Sequence, residues 1–239
     1  MNEKKSFFFQ PLLKRFWGRM VFRYAGRNIC SRNTIRVRRF YNIIGRIYDR
    51  LYTEQIADYQ QAAAHLVDSY IHVEDRILDL GCGTGILTQL AATKSKLIVG
   101  LDLSLGMIQP AKKKNHGSRH IHFIVGDCRY LPLRISFDKI ISSFMMVTLN
   151  RADQKLALQQ IFPLLGAEGE AIFLTANEKI SSQWLTDEEW NQLGKISGFQ
   201  EIECEDIFDF FRIVRMCKRQ ESIQTENPTE SVASAIGEP

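Results

Sequence analysis

Three glycines at alternate positions, Gly81, Gly83 and Gly85, separate two apolar stretches of this 239-residue chain. The first stretch, 77–80, is short, apolar and suited to a strand buried on both faces; it carries Asp79 two residues ahead of Gly81. After the glycines, Ile86, Leu87, Leu90 and Ala91 recur at helical spacing. The reading is strand, bare turn, helix. A turn without Cβ atoms lets a ligand approach the backbone closely. The unpaired N–H groups of the helix start behind it suit an anionic or polar ligand. The spacing is G-x-G-x-G rather than the dinucleotide G-x-G-x-x-G, whose third glycine would fall at Ile86, so pyrophosphate binding is disfavoured. Seventeen residues past Gly85, a second buried-type strand over 97–101 ends at Asp102. In an open parallel sheet the ligand lies beyond the carboxyl ends of the strands. A carboxylate placed there can accept hydrogen bonds from two hydroxyls, worth about 1.5–3 kcal/mol each.

The run of Asp79 and the three glycines resembles motif I of the class I S-adenosylmethionine-dependent methyltransferases. The resemblance covers roughly residues 40–218 and is closest to the ubiquinone/menaquinone-biosynthesis type. It implies an α/β fold, a Rossmann-like doubly wound seven-stranded sheet of order 3-2-1-4-5-7-6, with S-adenosylmethionine as cofactor. Asp79, Gly81, Cys82, Gly83, Thr84 and Gly85 then form the cofactor turn, Asp79 steadying it or the positive end of the cofactor. Asp102, followed by Leu103, matches the ribose acid, and Met107 an apolar position beside adenine. The segment 122–132 resembles the adenine-binding stretch, in which Asp127 takes the adenine amino group and the Cys128 N–H faces a ring nitrogen. The segment 137–149 resembles the Phe-Asp-x-Ile motif, with Ser143 touching the cofactor and Phe144, Met145 and Met146 facing the acceptor. Many relatives carry a His or Arg there, so the apolar set leaves the acceptor chemistry open. Tyr48-Asp49 corresponds to a Tyr-Asp pair in helices that close over cofactor and substrate. Tyr48, Phe144 and Met145 are therefore the substrate-side candidates. No catalytic residue is assigned. Methyl transfer from a sulfonium needs alignment and exclusion of water, not a protein nucleophile.

Other elements must hold these residues. Helical periodicity runs from 40 to 70, with Tyr41, Ile44, Ile47, Tyr48 and Leu51 in one stripe and Ile56, Tyr59, Ala63, Leu66 and Val67 in another. A helix is expected over 152–165, a fifth strand over 171–175, a helix opened by the capping box 186–189, and a closing hairpin after Gly198-Phe199. Residues 219–239 are polar and expected to be disordered. The five cysteines are scattered and odd in number, which points to free thiols and no zinc site.

Charge is uneven. Residues 1–50 hold 13 lysines and arginines against Glu3 and Asp49, although the whole chain carries only +4. Residues 1–39 form a basic arm in which Phe9, Leu12, Leu13, Phe16, Trp17, Met20, Val21 and Tyr24 share a helical face. Four readings stay open for residues 7–39: an anionic membrane surface, a helix packed on the domain, a mitochondrial transit peptide, or a nucleic-acid contact. The expected activity is methyl transfer to a small or amphiphilic acceptor, such as a quinone precursor or lipid. Location follows the arm: cytoplasmic, peripheral at a membrane, or mitochondrial. Two alternatives use other chemistry. One is an RNA or protein methyltransferase using the arm, ranked lower because Ser143-Phe144-Met145-Met146 stands where a base-modifying enzyme carries an Asn/Asp-Pro-Pro-Tyr/Phe motif. The other is a non-catalytic partner protein with the same fold. Oligomeric state is not legible.

Overall fold

The computed structural model describes residues 33–49, 59–179, 184–208 and 210–218. The arm up to residue 32, Leu51, Ile56 and the tail 219–239 lie outside the described residues. Seven strands form one sheet: β1 Arg76–Leu80, β2 Leu97–Asp102, β3 Ile121–Val125, β4 Phe137–Ser143, β5 Leu165–Ala176, β6 Glu201–Ile207 and β7 Phe211–Cys217. Their order is β3-β2-β1-β4-β5-β7-β6, as expected. The first five pair in parallel, and β7 runs antiparallel between β5 and β6. The helices are α1 Thr34–Ile44, α2 Tyr59–Tyr70, α3 Ile86–Ala91, α4 Leu105–Lys114, α5 Arg151–Ile161 and α6 Asp187–Lys195.

The central strands are apolar because both of their faces are covered. Alternation along β1 sends Leu78 and Leu80 into one cluster with Phe137, Phe173 and Trp190. Ile77 goes into the opposite cluster with Leu66, Leu87 and Ile172. Asp79 shares the Ile77 side by the same alternation, so its carboxylate starts beneath α3 rather than above the strand ends.

Three local expectations need correction. The helicity over 40–70 is interrupted: α1 begins earlier, at Thr34, where the Asn33 side chain accepts from the N–H groups of Ile35 and Arg36, and it stops at Ile44. The boundary expected at residue 39 therefore crosses α1. Ile47, past that stop, is 50% exposed and not part of a buried stripe. The helix expected to reach 165 ends at Ile161, because Pro163 supports only a 3-10 turn over Phe162–Leu164. The fifth strand starts at Leu165, not 171, since Leu165 pairs with Phe137 ahead of a register shift. The capping box closes as expected: Thr186 Oγ1 accepts from Glu189 N, and the Glu189 carboxylate accepts from Thr186 N.

Candidate functional site

The glycine turn leaves β1 with Gly81 at φ +75 and Gly83 at φ +54, in the left-handed region where a Cβ is strained. Space demands glycine too. A Cβ on Gly81 would lie 2.5 Å from Met145 Cγ. The N–H groups of Gly81 and Cys82 both bind Leu101 O, at 2.7 and 3.0 Å, which ties the turn to the end of β2. Asp102 completes the tie. Its Oδ2 accepts from Gly83 N at 2.9 Å and its Oδ1 from Ser104 N at 2.8 Å. Each oxygen keeps a further lone pair, and the side chain borders the crevice above the sheet. Burial pushes the Asp102 carboxyl up to about 6, against the pull of these two N–H groups.

Asp79 acts below the turn. It is 1% exposed and accepts from Thr88 Oγ1 at 2.5 Å, joining β1 to α3. Burial drives it up to about 7, opposed by the Thr88 bond and helped by the charge of Asp102. It does not line the crevice.

One wall of the crevice is α1. Asn42 Oδ1 accepts from Ser104 Oγ at 2.8 Å and from Gly106 N at 2.9 Å. Gly45 lies directly on the α4 backbone: a Cβ there would fall 2.1 Å from Gly106 O, and one on Gly106 would fall 2.4 Å from Asn42 O. Asp49 then reaches the glycine turn, accepting from Thr84 Oγ1 and pairing with Lys114 Nζ at 2.5 Å, while Lys114 also donates to Thr84 O at 2.9 Å. These bonds set Thr34, Val37, Tyr41 and Tyr48 against the space above the strand tips.

The far side is built by the loops after β3 and β4. Asp127 borders the crevice, but Arg129 binds it closely: Nε to Oδ1 at 3.0 Å, Nη2 to Oδ2 at 2.6 Å, and the Arg129 N–H to Oδ1 at 3.0 Å. Arg129 also reaches Asp153 at 3.2 Å. Burial works against the Asp127 charge, yet these bonds hold its carboxyl below the usual range. Cys128 is a buried thiol pushed up to about 12 by burial, with its sulfur packed 3.9 Å from Met145 Sδ. Ser143 Oγ meets the Tyr59 hydroxyl at 3.1 Å. Phe144, at φ +54, places its ring against Tyr59, Trp184 and Phe211.

Of the residues singled out in the sequence, Gly81, Gly83, Asp102, Leu103 and Met107 line this crevice. So do Asp127, Cys128, Ser143, Phe144, Met145 and Tyr48. Cys82, Thr84 and Gly85 do not. Cys82 and Thr84 turn away, Cys82 Sγ toward Gly100 and Thr84 toward Asp49, while Gly85 packs against Ala111 and Phe123. Met146, expected on the acceptor side, is buried in the core. Sequence reasoning left out Thr34, Val37 and Arg129. The first two share the α1 face of Tyr41 at helical steps, a signal present in the pattern; Arg129 stands two residues from Asp127 in a loop whose shape no periodicity reveals.

The residues fit an adenosyl ligand. A Cβ on Gly83 would meet Met107 Cε at 3.3 Å, so the floor of the trough is bare backbone, and a carboxylate with open lone pairs stands beside it. Residues 77–169 match the family model described as methyltransferase domain. Over that stretch, from within β1 into β5, the chain is similar to methyltransferases. An uncharacterized protein of Methanocaldococcus jannaschii is 33% identical over 147 residues, covering 61% of this chain and 54% of the relative. A malonyl-acyl-carrier-protein O-methyltransferase of Priestia megaterium is 35% identical over 126 residues, covering 50% of this chain and 45% of the relative. The chain thus spans about half the length of the curated relatives it matches. Among solved structures, a DhpI complex with S-adenosylhomocysteine superposes with a TM-score of 0.67 at 14% identity, over 81% of this chain and 98% of that one. A Synechocystis magnesium protoporphyrin IX methyltransferase with bound S-adenosylmethionine gives 0.63 at 18%, over 78% and 97%. Both share the fold of this chain.

Proposed function

We propose that this chain transfers the methyl group of S-adenosylmethionine to a small or amphiphilic acceptor. The observation that carries this reading is the meeting of Gly83, Asp102 and Asp127 around one crevice at the tips of β1, β2 and β3. When bound, the cofactor supplies a methyl group already activated on a sulfonium. The chain's own residues bind, orient and exclude water. Asp102 accepts from the two ribose hydroxyls through the lone pairs that Gly83 and Ser104 leave open. The bare backbone at Gly81 and Gly83 admits the nucleoside, and Met107 packs against it. Asp127, neutralised by Arg129, keeps one lone pair for an amino group. Tyr48 and the neighbouring α1 residues cover the trough from the side.

The acceptor end is apolar. Phe144 and Met145 line it, and the residues bordering the crevice include no histidine among the described residues. This supports an acceptor that brings apolar surface and needs no strong base on the protein, such as a quinone precursor, a lipid-like molecule or a carrier-borne acyl group. The relative from Priestia, named for a malonyl-carrier substrate, is in keeping with that class. The test is transfer of tritiated methyl into a cell extract separated into lipid, small-molecule, protein and RNA fractions. Label in the lipid or small-molecule fraction is the expected result. Label confined to RNA would overturn the acceptor class, and calorimetric S-adenosylhomocysteine binding with no transfer at all would favour a non-catalytic partner.

A further inference from the structure

The two faces of α1 differ. One lines the crevice through Val37, Tyr41 and their neighbours; the other projects Ile35, Arg36, Arg39 and Ile43 into solvent at three- and four-residue steps, and Arg46 and Ile47 continue it past the helix end. Ile43 is 79% exposed, and Ile35 and Ile47 are each at least half exposed. Leu105, 53% exposed, adds to the patch from α4, where the next residue, Gly106, is bound by Asn42. Large aliphatic side chains at such exposure, the three isoleucines interleaved with Arg36, Arg39 and Arg46, are not the pattern of a solvated helix face, which would be polar throughout. Apolar tips of limited depth interleaved with guanidinium groups match the boundary of an anionic bilayer, where the tips enter and the cations meet lipid headgroups.

We propose that this outward face of α1, with Leu105, docks on an anionic phospholipid membrane. Charge complementarity chooses the occupant: Arg36, Arg38, Arg39 and Arg46 are exposed here, and Asp49, the acid of this segment, is engaged with Thr84 and Lys114. The sequence ahead of α1 continues the same mixture, with Lys14, Arg15, Arg19 and Arg23 among Phe9, Phe16 and Trp17. Because the opposite face of the helix walls the crevice, docking brings the site close to the bilayer surface. The inference goes beyond the methyl-transfer reading and stands or falls separately from it.

The experiment uses the full chain in co-sedimentation with vesicles of mixed phosphatidylglycerol and phosphatidylcholine, and with phosphatidylcholine alone. The protein is expected to pellet with the mixed vesicles, less so as salt rises, and to remain in solution with the neutral ones. The double variants Ile43→Asn with Ile47→Asn, and Arg39→Gln with Arg46→Gln, are each expected to weaken the partition by about tenfold. Both should keep the wild-type circular dichroism and S-adenosylhomocysteine affinity, because none of these side chains lines the crevice. Equal partition to the two vesicle types would overturn the proposal. So would undiminished binding by both double variants, which would place the contact in residues 1–32, or salt-steep binding to RNA with no vesicle partition. S-adenosylhomocysteine calorimetry on the wild type, run in parallel, tests the methyltransferase reading independently.

Discussion

At the residue scale, Asp102 does two jobs with one carboxylate. It accepts N–H groups from Gly83 and Ser104 and still faces the ligand space. Asp102→Asn must aim an amide NH2 at one of those two donors, so the turn loses a bond and the ligand an acceptor. S-adenosylhomocysteine affinity is expected to fall about 10- to 100-fold, by calorimetry, with the circular dichroism unchanged. With its carboxyl at about 6, Asp102 gains a proton as the pH drops through that value and loses an acceptor. Wild-type affinity should therefore weaken by up to about tenfold between pH 7 and pH 5. Asp79 has the opposite audience: it faces the protein. Its carboxyl, raised to about 7, holds a proton in the folded chain over a range where the unfolded chain has released it. Stability of the ligand-free protein should thus decline as pH rises from about 4 to about 7 and level off above. Asp79→Asn keeps an acceptor for Thr88 and removes the buried charge. Urea denaturation should show it gaining about 2 kcal/mol on the wild type at pH 8 and much less at pH 5. The acids were legible in the sequence because each sits at a strand end beside a turn. Which of its two expected roles Asp79 takes, and how Asp127 is paired, was not, since one depends on which sheet face it leaves and the other on Arg129, placed by a loop.

At the element scale, the position of α1 rests on a contact between two backbones. Gly45 and Gly106 approach so closely that neither tolerates a side chain, although Gly45 has ordinary helical φ. Gly106→Ala puts a methyl 2.4 Å from Asn42 O and should lift α1 from α4. Hydrogen exchange of residues 34–48 is expected to speed up, and S-adenosylhomocysteine affinity to drop at least about tenfold, while exchange in β1, β4 and β5 stays slow. Protection of 34–48 equal to the wild type would contradict this account. The buried parallel strands were readable as continuous apolar runs, and α6 by its capping box. The breaks were harder: the stop at Ile44 has no proline, and Gly45 after it keeps helical φ and ψ instead of a left-handed cap, while the segment beyond places Asp49 on Thr84 and Lys114.

At the scale of the whole molecule, the sheet is closed by an antiparallel pair whose far end is held by one cation. Arg212 on β7 is 3% exposed and binds Asp206, Glu178 and Asp187 together. Arg212→Met would leave three carboxylates crowded with only the exposed Lys179, 2.9 Å from Asp206, beside them. Chemical denaturation should register a loss of about 2–3 kcal/mol, smaller than for a fully buried pair because the acids reach water. Lowering the pH to 4 should recover part of it, as the crowded acids gain protons.

The stretch shared with the methyltransferase family model, 77–169, begins within β1 and stops inside β5. Cut there, the polypeptide would keep the bend together with Asp102 and Asp127. It would lose the flank supplied by Thr34–Ile44, more than half of β5 with Phe173 and Leu174, and the hairpin that pairs with that strand. Greasy strips would then meet water and one another. The stretch that the family model matches is therefore smaller than the piece that can stand alone, and a truncation drawn along its bounds should clump rather than fold.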